Sequence, residues 1–389
     1  MNAFCSVFSQ ILKLFPRSSF QEAVRQTQAE RHARGFTCWE QFVAMLFCQL
    51  GRAQSLREIC HGLASIEGKL NHLGIDSAPN KSTLAYANAH RPAELYQRVF
   101  DELLGRCRQL APKHRLRFKN PLLSIDASVI ELCASVLDWA RYQKTKGAVK
   151  LHLILDHSGL LPSFCHIEEA RKYDVVVARE LEFAPGTVLV FDRGYTDFTW
   201  FKSLTERGVL FVTRLKRGTL YEIVEERPVP QRSGVTRDVV IRLTGRRLKR
   251  DAPLFRIVEY RDHDGRVFAF LTNQLSFGAT TIAAIYEQRW EIESFFKALK
   301  QNLRIKTFVG TSANALRIQI WTALIAMLVL RYLKLRSIFG WGLSNLLAML
   351  RFNLFTYRDL WTWLDNPFQP PPRPPTTQLT LPWTASERG

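Results

Sequence analysis

The sequence is short of several things that would assign it quickly. Its 389 residues include seven cysteines, at 5, 38, 48, 60, 107, 133 and 165, and no two form a C-x-x-C pair. An odd, scattered set excludes a disulfide framework and argues against a structural zinc site, which leaves small buried hydrophobes in a reducing compartment. There is no glycine-rich phosphate loop, no dinucleotide fingerprint and no serine nucleophile elbow, so the chemistries those motifs carry have no vehicle here. No apolar run reaches the roughly 20 residues of a spanning helix. The longest, residues 318–330, contains Gln319 and Thr322 and stops at Arg331, and it is expected to be a buried core helix. The opening stretch, MNAFCSVFSQILKLF, shows no charged leader and no small-residue cleavage site, which reads as cytoplasmic. Acid is scarce as well: 35 Asp and Glu face 54 Lys and Arg, a formal net charge of +19.

A surplus of that size suits a polyanionic partner, either nucleic acid or an anionic membrane, although solvated charges on a basic soluble protein give the same sum. Apolar residues at 47% and aromatics at 12% exclude wholesale disorder. Residues 1–115 read as short helices with polar breaks, among them a stripe from Phe42 to Leu50, a start at Ser55 with Glu58 three positions on, and a start at Pro79-Asn80-Lys81-Ser82. Such a region suits a helix-turn-helix-like DNA reader, and an ordinary helical bundle looks the same. From residue 118 the period changes. LLSIDASVIEL (122–132), AVKLHLILD (148–156) and LLPSFCHIE (160–168) read as strands, 171–183 as helix, GTVLVFD as strand, 196–207 as helix and VLFVTR as strand. That order predicts an α/β unit with a mixed sheet. Four further β segments are expected within 215–275, around 219–225, 237–244, 254–260 and 267–273, and eleven Lys or Arg stand against four acids between Arg214 and Arg250. Helix returns from about 278 to 365, and the stretch 367–389, rich in proline, is expected to be extended.

The chemistry is concentrated in YEQRWEIESFFKALK, residues 286–300. Tyr286, Arg289, Glu293 and Lys300 lie at offsets 0, 3, 7 and 14, an arc of roughly 60° on a single helix at about 100° per residue. A carboxylate flanked by a phenol, a guanidinium and an ammonium suits a phosphate backbone, with Glu293 free to bind metal. An amphipathic helix with an Arg289–Glu293 salt pair is the plainer reading. Two more acids shift the balance. Asp126 sits inside an apolar strand and Asp192 ends another, and a carboxylate there is costly unless it binds metal, hydrogen-bonds or pairs with a cation. Two strand acids and one helix acid are what two-metal phosphoryl transfer requires. Lys150 and His152 share a strand face and are expected to be solvated rather than near the metal. Trp290 is expected to pack.

The order Asp126, Asp192, Glu293, with Tyr286-x2-Arg289-x3-Glu293-x6-Lys300, VFDRGYTDF and LLSIDASVI, resembles the insertion-sequence-4 family of bacterial DDE transposases, over roughly residues 35–350. The resemblance implies an α/β fold with a ribonuclease-H-like catalytic core (118–214 and 276–310). A β-rich insertion (215–275) interrupts that core, a helical N-terminal DNA-binding domain (1–115) precedes it and a helical C-terminal region (311–366) follows. It implies Asp126, Asp192 and Glu293 as catalytic metal ligands for two Mg²⁺, with Mn²⁺ able to substitute. Tyr286, Arg289 and Lys300 would then hold DNA near the scissile bond. The partners implied are the double-stranded terminal inverted repeats and target DNA, in a homodimeric synaptic complex associated with the nucleoid, with no membrane and no need for ATP. Relatives with this signature cut through a hairpin, and some stack a flipped base on a tryptophan of the insertion. This insertion has no Trp, leaving Phe255, Tyr260, Phe268 or Phe270 for that place. A nuclease of the same core that does not join ends, and a non-catalytic DNA-binding descendant, are the rivals. The C-terminal helices around 316–364 are expected to complete the core at their start and to face a partner subunit at their end.

Overall fold

The computed structural model describes residues 5–31, 33–66, 68, 70–131, 148–169, 174–244, 253–303, 310 and 312–369. Cys133, the basic cluster at 246–250, residues 171–173 of the expected helix and the proline-rich stretch from 370 lie outside them.

The apolar runs after residue 120 assemble one sheet. β1 (Leu122–Glu131), β2 (Ala148–Asp156) and β3 (Leu161–Glu169) form an antiparallel meander. Its second turn takes the left-handed backbone at Gly159, φ +74°, and Ala111 Cβ approaches to 2.9 Å of the point where a side chain would start, so glycine is needed twice over. β4 (Val188–Val190) and β5 (Leu210–Arg214) then add in parallel to β1, linked by α8 (Phe198–Glu206). β6 (Tyr221–Glu226), β7 (Val235–Leu243), β8 (Leu254–Arg261) and β9 (Val267–Thr272) follow. They do not make a separate module. β9 pairs antiparallel with β5, so the sheet runs on through nine strands in the order β3-β2-β1-β4-β5-β9-β8-β7-β6. Asp238 of β7 and Arg256 of β8, each about 4% exposed, form a bidentate pair at 2.6 and 2.7 Å, and Arg256 also donates to the Phe277 carbonyl. That link ties the added strands to the chain just ahead of α9 (Ala279–Glu287).

The helices at the two ends of the sequence share one core. α1 (Val7–Leu12), α2 (Arg17–Thr27), α3 (Cys38–Gly51), α4 (Leu56–Ala64), α5 (Lys81–His90) and α6 (Glu94–Leu110) pack around α11 (Ala313–Arg336), and α12 (Leu343–Asn353) and α13 (Leu360–Asp365) close the group. Thr37 and Glu40 form a reciprocal capping box at the start of α3. At α4 only half of that arrangement forms: Ser55 accepts from the Glu58 amide, while the Glu58 carboxylate takes the Gln54 amide. α4 and α5 are separated by residues 65–80, so no tight helix-turn-helix elbow joins them. α11 has 24 residues, longer than the apolar run that announced it and long enough by length and composition to cross a membrane. Yet 83% of its most apolar window is buried inside the protein, as expected of a core helix. One face of the last helix packs inside the chain. Leu360, Trp363 and Leu364 of α13 are buried within the chain, and Gln10 of α1 bonds both the Arg358 carbonyl and the Leu360 amide. The six described cysteines form no disulfide with one another, and five of them are buried.

Candidate active site

Parallel pairing sets the first two carboxylates side by side. Ser124 of β1 lies opposite Val190 of β4, and two residues further along both strands come Asp126 and Asp192. Adjacent strands run about 4.8 Å apart, which makes neighbours of the two acids. Asp192 lies just beyond β4, in extended backbone, and caps the 3₁₀ turn Arg193–Tyr195 by accepting from the Gly194 amide at 2.8 Å. A side chain at 194 would start 2.9 Å from an Asp192 carboxylate oxygen, so only glycine lets the acid fold back on its own turn. Tyr195 is buried against Phe191 and Trp200 and anchors that turn.

Glu293 arrives from α10 (Trp290–Asn302), whose Ile292, Phe295, Phe296 and Leu299 are buried in the shared core. Lys300, in the last turn of α10, donates to the Val129 carbonyl of β1 at 2.9 Å and fastens helix to strand. Between them opens a cleft of about 370 Å³ lined by Asp126, Ala127, Ser128, Glu293, Phe296, Lys297, Lys300 and Gln301. Sequence reasoning missed Lys297. It lies four residues after Glu293, one helical turn on, and that spacing was the available signal.

The electrostatics show that the carboxylates feel one another. Burial raises the Asp126 carboxyl to about 6; the Ala127 amide and Arg289 pull it down, while Asp192 and Glu293 push it up. Arg289 meets Glu293 at 2.6 Å. Burial works against the Arg289 charge, but Tyr286, Glu293 and Asp126 outweigh it and hold its pKa raised. A buried carboxyl raised by two neighbouring acids suits hard divalent cations. Among the described residues no three Asp, Glu, His or Cys side chains are gathered closely enough to enclose an ion. Each of the three acids instead holds a local donor: Ala127, Gly194 or Arg289.

The signature residues are not one exposed stripe. α9 ends at Glu287 and α10 begins at Trp290; across this junction Gln288, Arg289, Glu291 and Ile292 make i to i−3 backbone bonds. This tightened turn separates Tyr286 from Glu293. Tyr286 is 5% exposed and packs on Phe270 at 4.7 Å, and Arg289 is 9% exposed and stands over the Tyr286 ring. The expectation for Trp290 is reversed: it is 59% exposed, with the Arg289 guanidinium over its ring. Of the rings weighed for base stacking, Phe255 and Phe270 are buried, Tyr260 and Phe268 half-buried. Lys150 and His152 are not solvated either. They lie opposite Val129 and Ala127, on the sheet face away from Asp126, and are covered by α7 (Asp174–Arg179). Lys150 meets Asp174 at 2.6 Å, and His152 is 3% exposed.

Residues 117–329 match the transposase DDE domain family, and residues 5–76 match a domain of unknown function, DUF4372. The chain is 32% identical to the "Putative transposase y4zB" of Sinorhizobium fredii over 259 residues, 65% of this chain and 71% of that one. It is 30% identical over 295 residues to the "Probable transposase for insertion sequence element IS5377" of Geobacillus stearothermophilus, 72% of this chain and 77% of that one. Among solved structures, a piggyBac transposase synaptic complex with hairpin DNA aligns at a TM-score of 0.44 and 11% identity, covering 91% of this chain and 81% of that one.

Proposed function

The chain belongs to the DDE transposase family, and from that premise we propose that Asp126, Asp192 and Glu293 are its catalytic metal ligands in cut-and-paste transposition of an insertion sequence. The observation that carries this reading is the lysine-lined cleft that Asp126 and Glu293 share, with the buried Asp126 carboxyl raised by burial and by Asp192 and Glu293. The strand order β3-β2-β1-β4-β5, antiparallel then parallel, supports a ribonuclease-H-like core. The Tyr-Arg-Glu-Lys spacing supports membership of the insertion-sequence-4 subgroup.

Two Mg²⁺ ions, with Mn²⁺ able to replace them, would be held by the three carboxylates and would activate the attacking oxygen and stabilise the leaving one. The chain's own residues do the rest. Lys297 and Lys300 face the cleft and neutralise phosphate charge. Arg289 restrains Glu293 on the α10 side, and the Tyr286 ring, itself packed on Phe270, holds Arg289 in turn. Tyr286, being buried, contributes chiefly by positioning Arg289. The substrate is double-stranded DNA carrying the element's terminal inverted repeats, held by a homodimer in the nucleoid, cut through a hairpin and joined to target DNA.

Joining separates this reading from that of a plain nuclease. Purified protein is incubated with Mg²⁺, DNA bearing both element ends and a target plasmid. The expected products are a hairpin-ended intermediate on denaturing gels and plasmid joined to the cut 3′ ends. Cut ends that never join would refute transposition, and open ends without a hairpin would refute the excision route.

A further inference from the structure

Away from the cleft, the helical body carries an open groove of about 510 Å³ between the end of α2 and the α5–α6 elbow. Its lining includes Arg31, Arg34, Phe36, Tyr86, His90 and Arg91, and contains no Asp or Glu among the described residues. Tyr86 is 67% exposed although it stands on a well-packed helix. It is held rigidly: the His90 ring stacks on it at 4.0 Å and 24°, and His90 Nδ1 bonds the Tyr86 carbonyl at 2.9 Å. Arg91 fixes the opposite wall by donating to the carbonyls of Phe36 and Thr37 and to Gln41, with its guanidinium over the Phe36 ring. Arg31 and Arg34 are both exposed, and neither joins an ion pair among the described residues.

We propose that this groove binds an unpaired DNA nucleotide, its base stacked on the Tyr86–His90 pair and its phosphates held by Arg31 and Arg34. A pre-stacked, outward-facing aromatic pair offers a π-face, and only unpaired or terminal bases have a free face to lay on it, because those inside a duplex are stacked on each other. The arginines supply the backbone contact that such platforms require, and the absence of acid in the lining removes the repulsion that would oppose it. The volume leaves room for one nucleotide and its flanking phosphates. The site rests on the DNA-acting reading, yet it is independent of the metal cleft and calls for no Mg²⁺.

The test uses the full chain in EDTA, with fluorescence anisotropy on three labelled probes: a mixed-sequence 12-nucleotide single strand, the same length of abasic strand, and the corresponding duplex. The wild type is expected to bind the single strand at least tenfold more tightly than the abasic one. Tyr86→Ala should weaken single-strand binding by about tenfold or more while leaving the duplex unchanged, and Tyr86→Phe should restore it. Arg31→Ala with Arg34→Ala should weaken binding and flatten its salt dependence. Matching circular dichroism keeps folding out of the comparison. Equal binding of abasic and normal strands, or a Tyr86→Ala protein that binds the single strand like wild type, overturns the groove assignment. A wild type that binds none of the three probes overturns the DNA reading on which it rests.

Discussion

Replacing Asp126 by asparagine should make the metal-free protein more stable while abolishing its activity. The folded-state carboxyl titrates near 6, above its ordinary 3.8, chiefly through burial and further through Asp192 and Glu293. For an acid whose pKa is raised on folding, the native chain holds more protons between those values, so stability falls as pH rises from 3.8 to 6. About two units at 1.36 kcal/mol each give roughly 3 kcal/mol of strain at pH 7 and above. Asparagine keeps the oxygen that accepts from the Ala127 amide and removes the charge. Urea denaturation in EDTA should therefore show the variant gaining little near pH 4.5 and up to about 3 kcal/mol at pH 8. Added Mg²⁺ should raise wild-type stability and leave the variant unmoved, because a cation relieves the same repulsion. An Asp126→Asn protein no more stable than wild type at pH 8 without metal would refute the reasoning, since the carboxylate would then already be compensated by protein groups.

Other expectations follow from groups outside the cleft. Asp238→Ala leaves the buried Arg256 guanidinium unpaired and should cost about 3–5 kcal/mol in denaturation experiments. Burial, with some repulsion from His114, lowers the His157 pKa to about 4 from 6.5, and Ser124 meets its ring at 2.6 Å. Here the unfolded chain binds the extra proton, so this group makes stability fall as pH drops from 6.5 to 4, opposite in sign to Asp126. His157→Gln should flatten that part of the stability–pH curve, and an unchanged slope would contradict it. Gly194→Ala should displace the Asp192 carboxylate and lower cleavage at least tenfold with little change in the unfolding midpoint, checked by single-turnover cutting.

What was legible in the sequence was what depends on local pattern. The apolar alternation around Asp126 and the short apolar run before Asp192 marked their strands, and the four β segments of 215–275 appeared within a few residues of β6 to β9. Long-range pairing was not legible: nothing near Val212 announces that it meets Thr272, yet that ladder turns the expected insertion into a continuation of the sheet. The helix break at Gln288–Arg289 was hidden for another reason. Both residues keep right-handed helical dihedrals, and no Gly or Pro marks the tightened turn. The burial of Tyr286 follows from the Phe270 ring of β9, which lies across that unforeseen ladder. Trp290, at the start of α10 beyond the break, is turned outward for the same reason.

The central claim is that three acids act together on DNA, and Mg²⁺-dependent cleavage of DNA carrying the element's ends tests it most directly. Wild type, Asp192→Asn and Glu293→Gln are compared at matched end binding, since glutamine at 293 can still accept from Arg289. The account predicts cutting by the wild type alone, with binding retained in all three proteins. Cutting at wild-type rates by either variant would contradict it.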